Sequence, residues 1–196
     1  MASTSIHQAI HGYRDGHRLL SSSTSLGSDA ARAMLVLSDM SGSSMQPGFD
    51  EYITAYPLAG TECFVFAKTW YAPEMQRPGC VWTHSLLVPR AQIAGVSAAQ
   101  LMKSLRRPHA DGVDAAATSP VVIEEEIPVG NTGDGFGDRE LAATLISAVL
   151  GQPRPVIVVA DTAAHFEAVF LRLWEELWPA ERTRFSFCTG ALMGCH

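Results

Sequence analysis

The sequence predicts an α+β fold: a mainly antiparallel sheet with flanking helices, followed by a smaller α/β unit. Short segments rich in Ile, Val, Thr, Tyr, Phe and Trp recur between turn signals over residues 6–88, as in strands joined by hairpins and loops. Helix-forming stretches with stop signals fall at 30–40 and 98–105. Beyond a glycine-rich stretch at 129–138, helix and strand signals alternate instead.

Residues 6–13 suit a strand, Arg14-Asp15-Gly16 is a turn signal, and 17–22 can return antiparallel. Ser28 stands where an N-cap belongs, with Asp29 in the first turn, and helix formers follow to residue 40 before Ser41-Gly42 breaks the pattern. Residues 41–48 read as a loop. Strands are expected at 51–56 and 63–71, and another at 80–88 after a stretch holding two prolines and a glycine. Ser97 caps a short helix over 98–105, stopped near Pro108. Residues 109–119 read as loop and 121–127 as one more strand. The rhythm then becomes helix 139–150, strand 156–159, helix 163–178 and strand 184–188. In the long helix Phe166, Phe170, Leu173, Trp174 and Leu177 recur at spacings of three and four, which makes one face apolar. The expected organisation is an N-terminal domain over 1–128, a linker or loop over 129–138, and over 139–196 the start of a further domain. The last residues carry no stop, cap or polar tail, so the chain reads as a fragment of something longer.

Of the 196 residues, 47% are hydrophobic and 17% charged, a balance that fits a folded globular chain. The net charge of -6 and the scatter of 14 Lys and Arg leave no electrostatic footprint for nucleic acid. Lys103, Arg106 and Arg107 form the densest basic stretch, read as a solvated helix end. Cys63, Cys80, Cys188 and Cys195 form no Cys-x-x-Cys pair, so they read as reduced, mostly buried thiols. Neither a leader pattern nor a run of about 18 apolar residues is present, so no membrane contact and a cytoplasmic location are expected.

His7, His11, His17 and His84 are the sharpest chemical constellation, since imidazoles can bind metal or act as general bases. Alternation places His7 and His11 on one strand face. With a two-residue Asp15-Gly16 turn, Arg14 pairs with His17, which then faces away from His11. With a three-residue loop, Tyr13 pairs with His17, and His17 joins His11. Three converging ligands would be needed for catalytic zinc, and the helical His-x-x-x-His with Glu is missing. No metal and no cofactor are expected; His11 and His17 read first as buried groups anchoring the hairpin.

Cys80 and His84 invite a thiol-hydrolase reading, with Asp39 or Glu74 as orienter. Four residues apart on one strand, they would lie about 13 Å apart at roughly 3.3 Å per residue, too far for a direct pair. Cys80 would need His11 or His17 as its base. Ser85 has no Gly-x-Ser-x-Gly elbow. The stretch 130–137, Gly-Asn-Thr-Gly-Asp-Gly-Phe-Gly, lacks the Gly-Lys-Ser/Thr ending of a phosphate-binding loop. Glu124-Glu125-Glu126 reads as a solvated strand edge.

His-Gly-Tyr-x-x-Gly-His-x-Leu-Leu at 11–20 and Lys-Thr-Trp-Tyr-Ala-Pro-Glu-Met-x-Arg-Pro-Gly-Cys-Val-Trp-Thr-His at 68–84 are long and unusual in residue choice. With Leu37-Ser38-Asp39 and Tyr56-Pro57-Leu58 between them, the chain resembles the N-terminal domain of bacterial GTPase-associated proteins over about 6–88. Beyond about residue 150 it resembles, more loosely, the start of that family's middle domain. The resemblance implies an adaptor in a bacterial conflict or antiphage system, with no catalytic activity attached to this domain. Its expected partner is a GTPase-like NTPase or another conflict-system protein. The expected recognition surface is the turn Arg14-Asp15-Gly16 with the loop 71–79, where Tyr71, Met75 and Arg77 suit a hot spot. The alternative is a hydrolase using Cys80 or a His11/His17/His84 site.

Overall fold

The structure is a computed structural model and describes residues 3–39, 48–75, 77–109, 113–124, 139–151, 156–159 and 162–190. Strands β1 (Ser3–Tyr13), β2 (His17–Ser22), β3 (Glu51–Pro57), β4 (Cys63–Tyr71), β5 (Val81–Pro89), β6 (Val121–Glu124) and β7 (Phe187–Cys188) form one sheet. Its order is β2-β1-β5-β4-β3-β7, with β6 paired to the first residues of β1. Every pairing is antiparallel, and the fold is α+β.

Both faces are covered. Period-two alternation sends Ile6, Phe64, Phe66, Leu86 and Val88 to one face, where α2 (Ala98–Ser104) adds Leu101 and α4 (Ala163–Glu176) adds Trp174. Ala9, Val65, Ala67 and Leu87 point the other way and meet Ala30 and Met34 of α1 (Ser28–Leu37). Residues 81–88 of β5 are therefore buried without a break, which explains why that segment reads as a continuous apolar run. Ser97 caps α2 as expected, in a full capping box with Gln100.

Several expectations are corrected. Ser28 is already helical, and Gly27 is the N-cap of α1 with no side-chain cap bond. The long helix stops at Glu176 because Trp178 precedes Pro179 and is held extended (φ -57°, ψ 146°), a conformation that proline imposes on its predecessor. A short helix α5 (Pro179–Arg182) follows. Unanticipated 3-10 turns form at Arg90–Gly95 and Val113–Ala115. Residues 156–159 are not a strand: they pair with none of the described strands, and Val159 is 93% exposed. The strand expected at 184–188 shrinks to two residues, which pair with Thr54 and Ala55 of β3. Of the expected loop at 41–48, residues 41–47 lie outside the described residues, as do 125–127 and the stretch 129–138. Helix α3 (Arg139–Gly151) forms as expected.

The apolar stripe of α4 does reach the core. Trp174 is fully buried, its ring centroid 6.0 Å from Phe64 and 5.8 Å from Phe66. Phe170 stacks on Phe187 at 5.4 Å, so α4 and β7 seal one face together.

At the opposite end of the sheet, Gly12 makes a close approach. A Cβ there would lie 2.4 Å from Trp82 Cε3. Gly12→Ala is expected to lower stability by about 1–3 kcal/mol, the cost of overpacking a filled site. Urea unfolding would register it, and an unchanged midpoint would show that this contact does not constrain the sheet.

Candidate functional site

The hairpin adopts the three-residue loop. Tyr13 pairs with His17 and Gly12 with Arg18, while a bulge between Ile10 and His11 sets His11 opposite Leu19. Asp15 (φ 54°) and Gly16 (φ 114°) supply the left-handed backbone that the turn requires. His17 thus joins His11 on the face toward α1, and the two rings stack at 6.2 Å with 21° between planes.

Their hydrogen bonds limit what they can do. Ser38, the C-cap of α1, donates its hydroxyl to the Leu35 carbonyl at 2.9 Å. Its oxygen must therefore accept from His17 Nε2, 2.7 Å away, so His17 is donor and not base in this pair. Thr83 Oγ1 donates to the Ser38 carbonyl, which leaves Thr69 as donor to Thr83 at 2.8 Å. Two buried threonines thus tie β4 and β5 to the end of α1. His11 is 1% exposed, and its Nδ1 has no hydrogen-bond partner among the described residues. Burial, with His17 beside it, pushes His11 down to about 4. Burial lowers His17 as well, with the Asp39 carboxylate pulling the other way.

His84 is not part of that group. It pairs with Ile10, one residue out of step with the His11–Thr83 pair, and so lies on the opposite face of the sheet. Its Nδ1 accepts from the Arg106 backbone N–H at 3.0 Å, which puts the ring proton on Nε2, donated to Gln8 Oε1 at 2.8 Å. Gln8 Nε2 in turn donates to the Ser119 carbonyl. This chain latches β5, β1, the segment after α2 and the segment before β6. Burial lowers His84 to about 4, the nearby Arg106 charge acting in the same direction.

The three histidines therefore do not converge, and Cys80 lies away from His11 and His17, the two it would need as a base. Cys80 is buried with Ile10, Ala72, Trp82 and Val113, on the face away from His11 and His17. Burial pushes its thiol up, although the nearby Arg77 charge opposes this, so the thiolate that nucleophilic catalysis needs is disfavoured. Among the described residues no group of three His, Cys, Asp or Glu could hold a metal ion. Cys63 and Cys80 are free thiols.

The loop 71–79 carries a network that sequence reasoning missed. Trp82 Nε1 donates to Glu74 Oε1 at 2.8 Å, and Arg107 Nη2 donates to both Glu74 oxygens at 2.8 Å and to the Tyr71 carbonyl at 3.1 Å. Burial alone would raise the Glu74 carboxyl, but the bonds from Trp82, its own backbone and Arg107 hold it below its ordinary value. Glu74 therefore orients the loop through Trp82 and Arg107. The signal available beforehand was its place between Pro73 and Met75 inside a run ending on Trp82.

Because Tyr71 pairs with Val81 and His11 with Thr83, the turn 14–16 and the loop 72–80 open at the same end of the sheet. Arg14, Asp15 and Arg77 are exposed there. Tyr71 and Met75 are half-buried, Met75 packing on the Trp82 cluster.

The sequence model of the family described as GTPase-associated protein 1, N-terminal domain type 1, matches residues 5–105, just over half of the chain. No curated protein and no solved structure matches it. Among the described residues no helix is long and apolar enough to cross a membrane.

His11 and His84 are neutral in the fold and regain their ordinary basicity on unfolding, so the unfolded chain binds more protons between about pH 6.5 and 4. Stability is expected to fall as pH drops through that window, by up to about 1.4 kcal/mol per pH unit for each histidine. Urea midpoints measured from pH 7 to 4 test this. A slope no shallower in His84→Gln than in the parent would contradict the part assigned to His84.

Proposed function

Because the chain belongs to the family of GTPase-associated protein 1 N-terminal domains, type 1, we propose that it is a protein-interaction module: an adaptor of a bacterial GTPase-associated conflict system that recognises a GTPase-like NTPase. One feature supports this most. Exposed Arg14, Asp15 and Arg77 flank half-buried Tyr71 and Met75 at one sheet end. An aromatic and a methionine ringed by charges is a composition favoured at interface centres. The Trp82–Glu74–Arg107 network holds the loop in shape beforehand, which reduces the ordering cost of binding. A cytoplasmic setting, free of nucleic acid and membrane, goes with this reading. The hydrolase alternative has no comparable support, since Cys80 and the three histidines are dispersed over two faces.

The test is co-purification of the intact protein with the GTPase encoded beside its gene. Retention is expected, and Tyr71→Ala with Arg77→Ala should weaken it about 10-fold or more while leaving thermal unfolding unchanged. Failure of the intact protein to retain that GTPase would overturn the assignment.

A further inference from the structure

On the face of the sheet opposite the stacked histidines, β1, β5, β6 and the segment after α2 enclose a cleft of about 550 Å3. That volume falls within the range of small-molecule sites. Its floor holds Gln8 and His84, its walls include Ile10 and Val113, and its rim carries Lys103 and Arg106. No acidic side chain is among the described residues that line it.

The cations differ in what they are free to do. Arg107 is spent on Glu74 and the Tyr71 carbonyl. Arg106 gives one N–H to the Lys103 carbonyl at 3.0 Å, leaving the rest of its fork uncommitted. The Lys103 ammonium has no hydrogen-bond or ion-pair partner among the described residues, and both side chains are exposed. Helix-end stabilisation accounts for the one Arg106 bond, at a few tenths of a kcal/mol. It does not account for two uncommitted positive charges on one concave, partly apolar surface of a chain whose net charge is -6. Such a surface concentrates the field of its rim and favours an anion of matching charge.

We propose that this cleft binds a small organic dianion, a phosphomonoester or a dicarboxylate, with its charged group on Lys103 and Arg106 and its apolar body against Ile10 and Val113. The hydrogen bonds of His84 and Gln8 are already used within the protein, so the floor selects by shape and leaves charge recognition to the rim. The cleft adjoins the loop assigned to the GTPase, its walls Ile10 and Val113 lying in the cluster that carries Met75, but its charged groups Lys103 and Arg106 are no part of that surface and the proposal does not depend on that assignment.

Phenyl phosphate, phthalate and uncharged benzyl alcohol, titrated into the full chain and followed by amide chemical shifts, provide the test. Saturable shifts are expected at 103–107, at His109 and at Val113 with at least one dianion and none with benzyl alcohol. Response to phenyl phosphate alone or to phthalate alone tells phosphate from carboxylate chemistry. Lys103→Gln with Arg106→Gln should weaken binding about 10-fold or more, the loss of two charge-assisted contacts, with Lys103→Gln alone intermediate and unfolding unchanged. No saturation with either dianion, or equal binding by the double variant, would overturn the proposal.

Discussion

The contact of Trp82 with the bare Cα of Gly12 organises the end of this sheet that carries the turn 14–16 and the loop 72–80. No side chain larger than hydrogen fits at residue 12 without moving an indole that is itself 1% exposed. The indole fixes β1 against β5, and its Nε1 reaches out to Glu74. Glu74 then holds Arg107, which holds the Tyr71 carbonyl. A packing constraint at one glycine is passed along four polar contacts to the loop that faces solvent. Segments 11–20 and 68–84 are thus bound to each other in this fold, through Gly12 on the one and Trp82 on the other.

Two buried polar clusters back this arrangement from opposite sides of the sheet. His17, Ser38, Thr83 and Thr69 lock the end of α1 to β4 and β5. Gln8 and His84 lock the segments around α2 and β6 to the other face. Both histidine sites are neutral imidazoles whose protonation would cost the fold the solvation that water otherwise supplies. Their role is to satisfy buried groups, and in these two clusters' surroundings it is the Nδ1 of the neighbouring His11 that is left without a partner among the described residues.

The C-terminal stretch follows the same logic of burial. Trp174 and Phe187 enter the core built by β3, β4 and β5. Val156, Ile157 and Val159, as strand-prone as any residues in the chain, stay exposed and form no strand. Propensity expresses itself only where a neighbouring backbone is there to pair with.

Local pattern determined much. The hairpin, the strand 63–71, the Ser97 cap, the apolar face of α4 and the family resemblance were all legible, because each rests on neighbours in sequence, on periodicity, or on residues unusual enough to be recognised. Strand alternation also showed that whether His17 joins His11 depends on the length of the turn, which the sequence left open. What the tertiary structure decided were relations between distant residues. These are the three-residue turn that brings His17 onto the face of His11, the single-residue offset that sends His84 to the other face, and the pairing of Arg107 with Glu74. They also include the antiparallel seat of β7 beside β3. A one-residue change of register reverses every side chain on a strand, and the bulge and the packing that set register are not written in any local run of sequence.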